Sequence, residues 1–103
     1  MSQLHDDHLR VLYREILRPA FPDDELVTED DFLAGCRRQD YLLHELTDDG
    51  QTVALAVAEH HPASQVLLFS WLAVRPGVRG GGFGGRVFDA ALAAWEELLH
   101  PVL

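Results

Sequence analysis

Val74-Arg75-Pro76-Gly77-Val78-Arg79-Gly80-Gly81-Gly82-Phe83-Gly84-Gly85-Arg86 is the stretch on which the reading of this chain turns. An apolar run, Val66 to Val74, comes before it, and an amphipathic run, Val87 to Leu99, comes after. The order predicts a strand, a glycine-rich turn and a helix. Six glycines fall within the nine residues Gly77 to Gly85, more than a plain turn needs. Amides at a helix start have no partner within the helix and sit at the positive end of its dipole, so they attract anions. Glycines let a phosphate reach that backbone with no Cβ in the way. The stretch therefore implies a phosphorylated ligand.

The other bounds come from size and charge. A chain of 103 residues with a 48% hydrophobic share fits one small domain around one core. No apolar run is long enough to span a membrane, since Val66 to Val74 is interrupted by Ser70 and ends at Arg75. The start, Met1 to His8, lacks the basic and apolar segments of a secretion signal, and the single Cys36 has no internal disulfide partner. These features predict a cytoplasmic protein. The net charge is −9 and unevenly spread. Residues 1–50 hold 5 Arg against 13 Asp and Glu, a balance of −8, whereas residues 51–103 hold 3 Arg against 4, a balance of −1. An acidic body argues against nucleic acid as a partner. Arg79 and Arg86 flank the glycine turn, a local basic pair suited to a small anion. The absence of lysine excludes Schiff-base chemistry and a lysine-bearing P-loop.

Leu9, Leu12, Tyr13, Ile16 and Leu17 recur at helical spacing and predict a helix over residues 3–18, ended by Pro19. Thr28 reads as the cap of a second helix with Glu29, Asp30 and Asp31 in its first turn and Phe32, Leu33 and Cys36 on its buried side. A hairpin follows, with strands Tyr41 to Leu46 and Gln51 to Glu59 about the turn Thr47-Asp48-Asp49-Gly50. Val53, Leu55 and Val57 alternate with alanines, which suits a strand covered on both faces. Val66 to Val74 is the third strand. The last helix is expected from about Gly85 to Leu99, with Val87, Phe88, Ala91, Leu92, Trp95, Leu98 and Leu99 on one side; Val102-Leu103 would begin another strand. The predicted order is α-α-β-β-β-α: an α/β domain of α+β type with a mostly antiparallel sheet.

Gly80, Gly82 and Gly85 match the G-x-G-x-x-G spacing of a dinucleotide site, but the preceding strand follows a hairpin and no acid stands at a later strand tip. A Walker loop fails because Arg86 stands where Lys is required. A third pattern fits better. Arg79-Gly80-Gly81-Gly82-Phe83-Gly84 resembles the Arg/Gln-x-x-Gly-x-Gly/Ala pyrophosphate loop of the GNAT superfamily of acetyl-CoA-dependent N-acetyltransferases. Val74 and Pro76 before it, and the helix after it, sit where that family has them. The resemblance runs from about Leu4 to Leu99. It implies an acyl-CoA N-acyltransferase-like fold, here a single domain over residues 1–103 that stops after the pyrophosphate-loop helix, with the family's C-terminal portion missing.

The resemblance also implies roles. Backbone amides of Gly80, Gly81, Gly82, Phe83, Gly84 and Gly85 would hold the pyrophosphate of acetyl-CoA, with Arg79 closing the loop. The backbone of Leu72, Ala73 and Val74 would pair with the pantetheine arm, placing the thioester near Trp71 and Leu72. A primary amine would attack it. The family's base glutamate belongs on the strand Val66 to Val74, which carries no carboxylate here; read from the residues alone, Glu59, His60 or His61 at the end of the second strand either takes the proton or is a plain polar strand end, and Glu59 is the expected base. The expected partners are acetyl-CoA as co-substrate and a small amine, with no metal, no nucleic acid and no membrane. The alternative is a non-catalytic CoA-binding or dimerisation module. An exposed strand edge in a half-domain implies a homodimer in either case.

Simpler roles are expected elsewhere. His5 and His8, with Asp6 and Asp7, read as a solvated helix start rather than a metal cage. Cys36, Phe88 and Trp95 read as core, and Asp23, Asp24, Glu25, Glu29, Asp30 and Asp31 as a solvated surface. Arg86 is expected either at the ligand or paired with Asp89.

Overall fold

The computed structural model describes residues 5–64, 66–78 and 81–99. It is an α+β arrangement: three antiparallel strands in the order β1-β2-β3, covered by helices on both faces. Strand β1 is Tyr41–Asp48, β2 is Gln51–His61 and β3 is Val66–Val74. Central β2 is buried from Thr52 to Ala58. Its Leu55 and Val57 face one core with Leu9, Leu12, Ile16, Leu17, Phe32 and Leu33. Its Ala54, Ala56 and Ala58 face a second, smaller core with Val87, Ala91 and Trp95. The alternation predicted for a strand packed on both faces is thus present, with the bulk on one side and alanine on the other.

Helix α1 is built in three pieces: an α-helical segment Asp6–Leu12, a π-helical turn Tyr13–Leu17 and a last α turn Arg18–Ala20. Pro19 therefore does not end the helix as expected; it lies within the final turn, and the chain leaves at Phe21. Pro19 has no N–H to offer a carbonyl four residues back, and its ring would crowd that carbonyl. The wider turn just before it accommodates the misfit. Helix α2, Glu29–Arg37, begins as predicted, with Thr28 Oγ1 accepting from the Asp31 amide at 3.2 Å. The hairpin turn is tighter than expected. Strand β1 runs on to Asp48, and only Asp49 (φ 55°) and Gly50 (φ 78°) turn, the left-handed pair that matches the twist of two antiparallel strands. Helix α3, Phe83–Leu99, starts two residues earlier than expected. The predicted strand at Val102-Leu103 and the proposed beginning of α1 before His5 lie outside the described residues.

Three sequence expectations change on packing. Phe88 and Leu92 are 38% and 46% exposed, because α3 faces the sheet through Val87, Ala91 and Trp95 and leaves these two over the outer edge of β3. Glu29 is not solvated. Arg10, Arg14 and Arg18, one helical turn apart on α1, converge on its carboxylate, with Arg10 Nη1 at 2.5 Å from Oε2 and Arg14 Nε at 2.7 Å from Oε1. The helix start is tied down as well: Asp6 pairs with Arg37, and His8 Nε2 lies 2.9 Å from Glu45 Oε1, which also accepts from Thr52 Oγ1 at 2.7 Å.

Two predictions follow from this packing. The Arg14 hydrogen bond, with Arg10 behind it, holds the Glu29 carboxyl below the usual carboxylate range despite the opposing effect of partial burial. A depressed carboxyl stabilises the fold above its unfolded pKa, about 4.3 for glutamate, and that contribution fades as pH falls through the lowered value. Melting temperatures measured from pH 7 to pH 3 should fall more steeply for the wild-type chain than for Glu29→Gln. The second concerns Gly35, where a Cβ would land on the ring of Tyr41. That ring is held between Phe32, centroids 6.1 Å apart, and Trp71 at 5.7 Å, so it has little room to yield. Gly35→Ala should cost about 1–3 kcal/mol in urea unfolding, in spite of the better helix propensity of alanine.

Candidate functional site

The glycine turn joins the end of β3 to the start of α3. Arg75 leaves the sheet with its amide on Val53 O at 2.7 Å and its Nε on Thr52 O at 2.8 Å, and its guanidinium pairs with Glu15. The turn is thereby anchored to both β2 and α1. Gly77 follows at φ 89°. Gly82 stands immediately before the helix at φ 59°, a backbone that side chains rarely tolerate, and its carbonyl accepts from the Arg86 amide at 3.0 Å.

The amides of Phe83, Gly84 and Gly85 form the first turn of α3, where no intrahelical acceptor exists. Among the described residues nothing lies within 4 Å of where a Cβ would stand on Gly82 or Gly85. On Gly84 a Cβ would meet only Val74 Cγ2, at 3.6 Å, so the helix start abuts the last residue of β3. On Gly81 it would strike the Phe83 ring. The Phe83 ring packs against the smaller core, and the Arg86 guanidinium lies over it, 5.2 Å from the centroid. Of the residues expected to bind a cofactor, Leu72, Ala73 and Val74 end β3, and Val74 lies beside Gly84 in the first turn of α3, which Gly81, Gly82, Phe83 and Gly85 flank. Arg79 and Gly80 lie outside the described residues.

Strand β3 is the outer strand of the sheet, and its regularity breaks halfway. Val57 pairs with Trp71 and Ala58 with Phe69, so Ser70 is an extra residue, a β-bulge. A bulge of this kind sets two successive side chains on one face, and Ser70 and Trp71 both reach the side that carries Glu59 and Tyr41. The Trp71 ring meets Tyr41 edge-on at 5.7 Å, and its Nε1 donates to Glu25 O at 3.1 Å. Ser70 Oγ donates to Glu59 Oε2 at 3.2 Å. Phe69, Ser70, Trp71, Leu72 and Phe88 line an open depression of about 200 Å³ at the bulge. Glu59 is thus tied to the bulge through Ser70 on the side of the larger core, whereas Phe69 and Phe88 line the depression from the α3 side. The Glu59 carboxylate is 40% exposed, with His61 Nε2 at 3.7 Å from Oε1.

Burial pushes the Tyr41 phenol up, and the Glu59 carboxylate across the strand pair adds to the effect. Burial also pushes the Cys36 thiol up to about 12, so it stays protonated at neutral pH, in keeping with a core role. Among the described residues no group of three or more His, Cys, Asp or Glu is arranged to hold a metal, and no helix is long and apolar enough to cross a membrane. Ser70 is the site residue that sequence reasoning passed over. Its only signal was that it is the one polar residue in Val66 to Val74.

No known family model matches the chain, and no curated protein is significantly similar to it.

Proposed function

We propose that the chain binds acetyl-CoA and transfers its acetyl group to a primary amine. The observation that carries this reading is the bulged edge of β3, unpaired on its outer side among the described residues, which ends in a glycine turn at a helix start and has Glu59 on the neighbouring strand. The residues present suit the cofactor. Among the described residues, nothing stands over Gly82 and Gly85 to keep a diphosphate from the amides of Phe83, Gly84 and Gly85. The outer backbone of Leu72, Ala73 and Val74 offers hydrogen bonds to an extended amide-bearing arm, as an edge strand does to an added strand. In the GNAT pattern Arg79 would close over the diphosphate.

Acetyl-CoA supplies an activated thioester. Glu59 takes one proton from the incoming ammonium and passes it to solvent. The freed amine nitrogen bonds to the thioester carbon, the C–S bond breaks, and the second proton of the adduct ends on the departing thiolate. The sum is an amide, CoA thiol and one released proton. Holding amine and carboxylate together at the bulge gives the proximity such a step needs.

Calorimetric titration with acetyl-CoA tests the binding; absence of heat at millimolar ligand would overturn it. Gly85→Glu offers a sharper check. A side chain fits at that position without steric conflict. A carboxylate there would repel a diphosphate, so affinity should drop by about tenfold or more with the melting temperature unchanged. Thiol release with spermidine, kanamycin, leucinamide and a lysine-bearing peptide then tests for turnover.

The exposed apolar side chains favour a second reading, a CoA-binding or dimerisation module without catalysis. Leu68 is 54%, Leu72 39%, Phe88 38% and Leu92 46% exposed, all on β3 or on the flank of α3 above it. A second copy of the chain would cover them. Light scattering should then report a dimer that Phe88→Glu converts to monomer, and a monomeric wild-type chain would remove this reading.

A further inference from the structure

We infer that Ser70 is a positioning residue: from the bulge it fixes the Glu59 carboxylate, on the Trp71 and Tyr41 side of the sheet, through its hydrogen bond to Oε2. The inference rests on the acetyl-transfer reading and concerns how the base of that reaction is held. Three observations converge on it. Ser70 is the only polar residue of β3, and it occupies the one position at which the strand departs from regular pairing. The extra residue is what presents a hydroxyl, rather than an apolar side chain, to Glu59 on the neighbouring strand. The same hydroxyl also lies 3.3 Å from Leu68 O, yet it has a single proton to give. An ionised carboxylate is the stronger acceptor and holds it.

The geometry divides the work of the two carboxylate oxygens. Oε2 is engaged by Ser70, and Oε1 remains for a proton. The other groups facing the carboxylate are His61 on its own strand, 3.7 Å from Oε1, and Tyr41, its cross-strand partner on β1. Neither is within hydrogen-bond distance, so neither fixes the rotamer. A glutamate that is 40% exposed would otherwise sample several rotamers and spend much of its time away from the acceptor.

A double-mutant cycle on thiol release separates this role from a structural one. With whichever of spermidine, kanamycin, leucinamide or the lysine peptide reacts fastest, Ser70→Ala should lower kcat by about tenfold. Its KM for acetyl-CoA should stay within about twofold of the wild type. Ser70→Thr, which keeps the hydroxyl, should recover most of the loss. Glu59→Gln should lower kcat by about a hundredfold, and adding Ser70→Ala to it should cost nothing more. Losses that add in the double variant, or equal losses in the Ala and Thr variants, would overturn the positioning role while leaving the acetyl-transfer reading in place. A wild-type chain that binds acetyl-CoA but releases no thiol with any of the four amines would overturn both.

Discussion

Everything in this molecule depends on burying one strand on both sides. Strand β2 has no solvent-facing side from Thr52 to Ala58. Each of its backbone groups must therefore bond to β1 or β3, and each side chain must fit a helix. Large residues face α1 and α2, and alanines face α3. That division sets how closely each layer approaches and which helix carries most of the apolar contact. Among the described residues it also leaves β3 with a neighbour on one side only, so that the described sheet has an outer edge ending at the glycine turn.

The candidate site grows out of that edge. A regular strand from Val66 to Val74 would present alternating apolar side chains and nothing else. The bulge at Ser70 changes this by one residue. It turns a hydroxyl toward Glu59, brings Trp71 against Tyr41, and opens the depression against Phe88. Charge follows the same plan. The acidic first half of the chain is partly internally compensated, with three arginines of α1 gathered on Glu29, while the turn lies in the nearly neutral second half.

Much of the fold was legible because the signals are local. Thr28 with acids behind it marks a helix start, Asp49-Gly50 marks a two-residue turn, and the Val/Leu–Ala alternation marks a doubly covered strand. The misses are non-local. Phe69-Ser70-Trp71 reads as ordinary alternation, since an extra residue shows only against the partner strand. Phe88 and Leu92 have the spacing of buried residues, but the sheet is too narrow beneath α3 to cover them. The destination of Glu29 required knowing that α1 lies across the start of α2. The hydrogen bond from Ser70 to Glu59 had no signal in the sequence, because it exists only through the bulge.

The alanine side of β2 has a thermodynamic consequence. Among the described residues, helix α3 is docked through Val87, Ala91 and Trp95 onto the methyl groups of Ala54, Ala56 and Ala58. The amides of Phe83, Gly84 and Gly85 keep their place beside β3 only while that seam is closed. An anion seated across the first turn of α3 would bind only the docked state. Its binding free energy would then tighten the whole helix against the sheet, so that ligation and local folding become a single event.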